Sequence, residues 1–319
     1  MRIILKKVGC LLLPFAVIVA GCGDDGPERD AGSGARVSVV ASVFPLAEVA
    51  RAVGSELVDV VELASPGVEP HDLELTTDQV DALLDADLVL AVGKGFQPGV
   101  EEVAERRSGQ TRLVLEIPDP ARDVTVPGAD EGGPVQGAGA GLADDPHVWL
   151  DPRYLESIVD EVAAALSAID PDHEGDYDRG ARRMVEELRM LDTLFARTLA
   201  TCERHTIVVA HQAFGWLTRR YGLTQLSLAG RSPEQEPDSR HLADLADRMR
   251  SEGITTVFTE PAAPEGLAET LAREAGAEVA MLDPLEVSTA DEHDTHAGYG
   301  SVMKANLAAL SSALGCRAP

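Results

Sequence analysis

The sequence predicts an α/β protein of two lobes, each a mostly parallel sheet flanked by helices, joined by one long rigid helix with a site in the cleft between the lobes. Three observations carry this. Short β-branched apolar runs alternate with amphipathic stretches over residues 36–117 and again from 206 onward, and strands alternating with helices build parallel sheets covered on both faces. Between the two series, Met184, Leu188, Leu191, Leu194, Phe195 and Leu199 recur at helical spacing in a charged stretch. The chain's 319 residues, 45% of them hydrophobic, also exceed what one compact core usually holds.

Residues 1–21 read as an export signal. Arg2, Lys6 and Lys7 precede an apolar stretch over 8–20 that is too short to span a bilayer comfortably. It ends in Val19-Ala20-Gly21-Cys22, which resembles the lipobox of bacterial lipoproteins, where the cysteine thiol takes a diacylglyceryl group. Residues 22–35 are polar and glycine-rich, a flexible tether.

From Arg36 the period predicts a strand over 37–43, a helix over 45–53 with Pro45 in its first turn, and a strand over 57–63. A helix over 76–85, a strand over 88–92, a helix over 97–107 and a strand over 112–117 follow. Residues 118–145 are rich in glycine, proline and acids and break all periodicity. A helix over 151–169 has Asp151 as its N-cap and Pro152 in its first turn. The stretch 171–200, taken as helix, is about 40 Å long. Strands over 206–210, 223–228, 254–259 and 278–282 then alternate with helices over 213–221, 238–251, 265–274 and 297–314. This assigns 36–170 to an N-terminal lobe, 171–201 to the linking helix and 202–319 to a C-terminal lobe.

Of the four cysteines, Cys10 leaves with the signal and Cys22 carries the lipid. Cys202 and Cys316 remain, either a disulfide tying the tail to the start of the second lobe or two buried thiols. Loss of the signal's basic residues takes the formal charge from −27 to −30. Such a field repels nucleic acid and attracts cations, and it also serves solubility.

Parallel sheets bind ligands beyond the carboxyl ends of their strands. His211 directly follows the strand at 206–210, and Asp283 the strand at 278–282. His71 lies in a loop stiffened by Pro66 and Pro70, and His147 ends the acidic loop. Three imidazoles and a carboxylate, two from each lobe, suit a four-coordinate zinc ion.

The chain here resembles the bacterial metal-binding lipoproteins that serve ABC transporters for zinc and manganese. The resemblance covers residues 37–314. It rests on Ser42-Val43-Phe44-Pro45-Leu46, Glu69-Pro70-His71-Asp72-Leu73-Glu74-Leu75 and Asp145-Pro146-His147-Val148-Trp149-Leu150-Asp151-Pro152. In the second half it rests on His211-Gln212-Ala213-Phe214-Gly215-Trp216, Tyr221-Gly222-Leu223, the motif from Ser232 to Pro237, and Leu282-Asp283-Pro284-Leu285. It implies that His71, His147, His211 and Asp283 hold the metal, and that the protein is a lipid-anchored monomer on the outer face of the membrane serving a permease and an ATPase. Histidine rather than glutamate at position 211 points to the zinc branch, in keeping with the preference of manganese for oxygen donors; a manganese or mixed cargo is the alternative. An adhesive role, attributed to such surface lipoproteins, has no motif here.

The family's zinc members often carry a histidine-rich loop, whereas residues 123–145 contain no histidine. Asp130, Glu131, Asp144 and Asp145 make this loop either a weak cation antechamber or a solvated linker. His293-Asp294-Thr295-His296 has the spacing of a surface metal site or of a polar loop, and His173, His205 and His241 are expected to face solvent. Phe214 and Trp216 are expected to pack the lobe and support the ligands. An exported zinc hydrolase is the reading from another class, with Glu74 or Glu260 as base. Four protein ligands leave no position for water, and no His-Glu-x-x-His helix is present. Unperturbed imidazoles predict that affinity falls below about pH 6.5.

Overall fold

Parallel strands need crossover connections, and helices supply them here. The structure, a computed structural model, describes residues 36–64, 68–107, 111–115, 145–230, 237–261, 265–288 and 298–317. The export signal, Cys22, the tether, the loop up to Asp144, most of the motif begun at Ser232 and the His293 to His296 segment lie outside the described residues.

The N-terminal lobe is built from β1 (Val37–Ala41), α1 (Phe44–Gly54), β2 (Val58–Glu62), α2 (Thr77–Asp85), β3 (Leu88–Val92), α3 (Pro98–Arg106), β4 (Thr111–Leu115) and α4 (Pro152–Ile169). The long helix α5 (Glu174–Leu199) leads to β5 (Thr206–Val209), α6 (Gly215–Tyr221), β6 (Thr224–Ser227), α7 (Ser239–Glu252), β7 (Thr256–Thr259), α8 (Glu265–Ala275), β8 (Glu278–Met281) and α9 (Tyr299–Leu314). Both sheets are parallel and share one order, β2-β1-β3-β4 and β6-β5-β7-β8. The winding therefore reverses between β1 and β3 and again between β5 and β7. Such reversals open a crevice beyond the strand ends.

Element ends differ from the sequence period where local chemistry intervenes. β1 stops at Ala41 because the chain turns into α1, where Pro45 in the first turn has the φ a helix needs. α5 is preceded by a 3-10 turn, Pro171–His173, and its 26 residues span about 39 Å. α9 starts at Tyr299, whose backbone N–H donates to Glu48 Oε2 (3.3 Å).

The largest hydrophobic cluster does not stop at the lobe boundary. It runs from β1, α1 and β3 through α4 and α5 into β5, α6 and α9, with Tyr177, Leu188, Leu191 and Phe195 of α5 buried in it. Two smaller clusters fill the outer faces. One packs Val40, Leu83 and Val89 with Val100 of α3, and the other packs Val208 and Val257 with Met249 of α7 and Leu271 of α8. Residues 36–319 accordingly form one compact unit. Among the described residues no helix is long and apolar enough to cross a membrane.

Candidate metal centre

Each histidine of the cleft is held by the element beside it. His71 sits in the loop after β2, where Gln97 Nε2 donates to Pro70 O (3.1 Å) and Ser42 O (3.3 Å), tying the loop to α3 and the end of β1. Phe96 packs edge-on to its ring, with centroids 4.5 Å apart. His147 precedes a 3-10 turn, Val148–Leu150, which ends on Asp151, the N-cap of α4, whose carboxylate accepts from the Arg153 and Tyr154 N–H groups. His211 follows β5 at the reversal of the C-terminal sheet, where Gln212 N donates to Gly230 O (2.8 Å).

The three imidazoles converge through Nε2 on one oxygen, Glu286 Oε1. The separations are 3.3 Å from His71, 2.7 Å from His147 and 3.2 Å from His211. One ligand atom from each of these four residues lies within 4.8 Å of every other, the spread a metal ion gathers. The far nitrogens are oriented by carboxylates: His147 Nδ1 lies 2.6 Å from Asp145 Oδ1, and His211 Nδ1 lies 2.6 Å from Glu260 Oε2. Such partners fix the tautomer and aim Nε2 into the cleft. Aromatic groups brace this shell, since Trp216 Nε1 donates to Asp145 O (2.9 Å) and Trp149 Nε1 to Pro284 O (2.8 Å).

Burial alone would lower the His147 pKa, but Asp145 and Glu286 push it up to about 9. His211 is buried too, yet Glu286 and Glu260 hold it well above the usual imidazole range. Burial would raise Glu286, and the facing His211, His147 and His71 hold it well below the usual carboxylate range. Burial, then the charge of Glu286, lifts Glu69 to about 7. At this centre His147 and His211 are thus both held toward the protonated form by the carboxylates that face them.

Asp283, expected as the fourth ligand, is not among the grouped ligand atoms. The carboxylate grouped with the three histidines is Glu286, three residues further on, while Asp283 Oδ1 accepts the Leu285 N–H (2.7 Å) and holds the turn that follows β8. Leu285 takes a left-handed φ of 58°, which swings Glu286 toward the imidazoles. Asp145, expected with the solvated loop, is buried against His147. The Asp145-Pro146-His147 spacing was its signal, because a carboxylate two residues before a histidine also reaches that histidine's own N–H (3.1 Å). Glu260 orients His211, and Glu74 is exposed.

Outside the centre, His205 is exposed, His173 pairs with Asp170 and His241 with Ser227 O. Phe214 and Trp216 are buried in the core. Cys202 and Cys316 are joined as a disulfide.

Residues 39–313 match the family described as zinc-uptake complex component A, periplasmic. The chain is 32% identical over 301 residues to the high-affinity zinc uptake system protein ZnuA of Bacillus subtilis (strain 168), covering 93% of this chain and 94% of that protein. It is 30% identical over 311 residues to the zinc-binding lipoprotein AdcA of Streptococcus pneumoniae, covering 96% of this chain but only 60% of that longer protein. The crystal structure of the Zn(II)-bound ZnuA-like domain of Streptococcus pneumoniae AdcA superposes with a TM-score of 0.71 at 28% identity, covering 88% of this chain and 99% of that one.

Proposed function

Because the chain belongs to the family of periplasmic zinc-uptake components, we propose that it captures one zinc ion between its lobes with His71, His147, His211 and Glu286 and delivers it to an ABC permease and its ATPase. The observation that carries the proposal is the convergence of three imidazole Nε2 atoms on a single buried carboxylate. Nitrogen donors in the majority favour zinc over manganese, which prefers oxygen.

A four-ligand set closes the coordination sphere, which supports carriage over hydrolysis, because a catalytic zinc keeps one position for water. The lipobox ending in Cys22 supports an anchor on the outer face of the membrane. Capture and release need only small displacements, since α5 is buried along one face in both lobes and leaves little room for a wide hinge.

Titration calorimetry on metal-free protein tests this reading. One zinc per chain is expected, with manganese displaced by equimolar zinc. His211→Ala should weaken zinc by more than about 100-fold while the metal-free protein melts as before. Unchanged zinc affinity in that variant would remove His211 from the site.

A further inference from the structure

Glu286 owes its place to a turn, and the turn owes its shape to α9. Asp283 opens the turn with both backbone groups paired to one side chain. Its N–H donates to Asn306 Oδ1 (2.9 Å), and its carbonyl accepts from Asn306 Nδ2 (2.7 Å). Asn306 lies within α9 and is only 3% exposed. One donor and one acceptor are needed side by side there, and a carboxamide supplies both. The next link is the Asp283 carboxylate on the Leu285 N–H, and Leu285 then carries its left-handed φ while buried. A branched side chain holds that conformation only where its surroundings enforce it. Beyond Glu286, its carbonyl accepts from Phe44 N (3.4 Å), and Ser288 N donates to Glu62 Oε1 (3.2 Å).

We propose that Asn306 is a positioning residue for the metal-binding carboxylate: by clamping the Asp283 backbone to α9 it holds the Leu285 turn, and so aims Glu286 at the three histidines. This rests on the zinc reading above. Asn306 hydrogen-bonds to the Asp283 backbone rather than to a grouped ligand, so its effect on binding passes through the turn and is read chiefly at Glu286. His71 and His211 are held by other elements, while Trp149, whose ring lies beside His147, also donates to Pro284 O within the same turn.

The test is a double-mutant cycle read by zinc affinity and by the visible spectrum of the cobalt(II) form. Asn306→Leu removes both hydrogen bonds at similar size. It should weaken zinc by about 10–100-fold, the range for residues that orient a ligand. In a Glu286→Gln background the same change should cost less than about twofold, and the cobalt(II) spectra of the two single variants should coincide. An equal loss in both backgrounds, or an unchanged affinity in folded Asn306→Leu, overturns the proposal. If that variant does not fold, Asn306→Asp runs the same cycle, keeping the acceptor and losing the donor. Wild-type protein that binds no zinc overturns both this inference and the function it rests on, whereas zinc binding without coupling overturns this inference alone.

Discussion

His147 carries two carboxylate contacts on one ring, Asp145 at Nδ1 and Glu286 at Nε2, and these outweigh the burial that would otherwise expel its proton. With its pKa raised to about 9, the metal-free ring is an imidazolium at neutral pH, and zinc must displace that proton. The sign follows: affinity is greatest above about pH 9 and falls as pH drops, by up to tenfold per unit for each proton displaced. Unperturbed histidines would place that fall near 6.5. Calorimetry at pH 6, 7 and 8 in buffers of different ionisation enthalpy should record proton release at all three; zero release at pH 7 and 8 would show the imidazoles already neutral. His211 was legible because residue type and strand-end position both marked it, and His71 and His147 because the motifs around them resemble the family's. Glu286 was not, because its direction depends on the φ of Leu285 and on Asn306, which contacts Asp283 from 23 residues away.

At the scale of elements, α5 passes the end of α1 at a point where only glycine fits. A Cβ on Gly180 would lie 2.8 Å from Val53 Cα and 2.9 Å from Ala52 O. Gly180→Ala should therefore destabilise the protein by about 1–3 kcal/mol. Urea unfolding measures it, and an unchanged midpoint would mean that the two helices separate freely. The helical period along 171–200 predicted α5 and its apolar face. It could not show this crossing, because a glycine on a polar stretch reads as a weak spot until its neighbour is known. Ends were less legible than interiors for a similar reason: the stop of β1 at Ala41 and the 3-10 turn before α5 are settled by prolines and hydrogen bonds rather than by period.

Across the whole molecule, two alternating series foretold two sheets. That both share one strand order, and that a single core runs through α5 between them, was hidden, since periodicity marks which face is buried but not what it is buried against. The Cys202–Cys316 bond closes a loop of 114 residues and ties α9 to the start of β5's lobe. Replacing both cysteines by serine should cost about 2–4 kcal/mol of stability. Zinc affinity should be unchanged, because Arg204 still holds the end of α9 through Ala313 O (2.9 and 3.1 Å). Thermal melting with and without zinc reads both quantities, and a large loss of affinity would show that the bond also braces the site.

One asymmetry of the centre bears on traffic. The side chains of His147 and His211 are fully buried and that of Glu286 is 5% exposed, whereas His71 keeps 12% of its side chain in contact with solvent. On the proposed zinc reading, an ion held at this centre is expected to exchange past His71, the most exposed of the four grouped side chains. The buried side chains of His147, His211 and Glu286 offer a chelator in solution little direct access to such an ion. Release to a chelator is then expected to be first-order, with a rate independent of chelator concentration; stopped-flow transfer of zinc to a chelator checks it, and a rate that rises in proportion to chelator would show direct access to the ion.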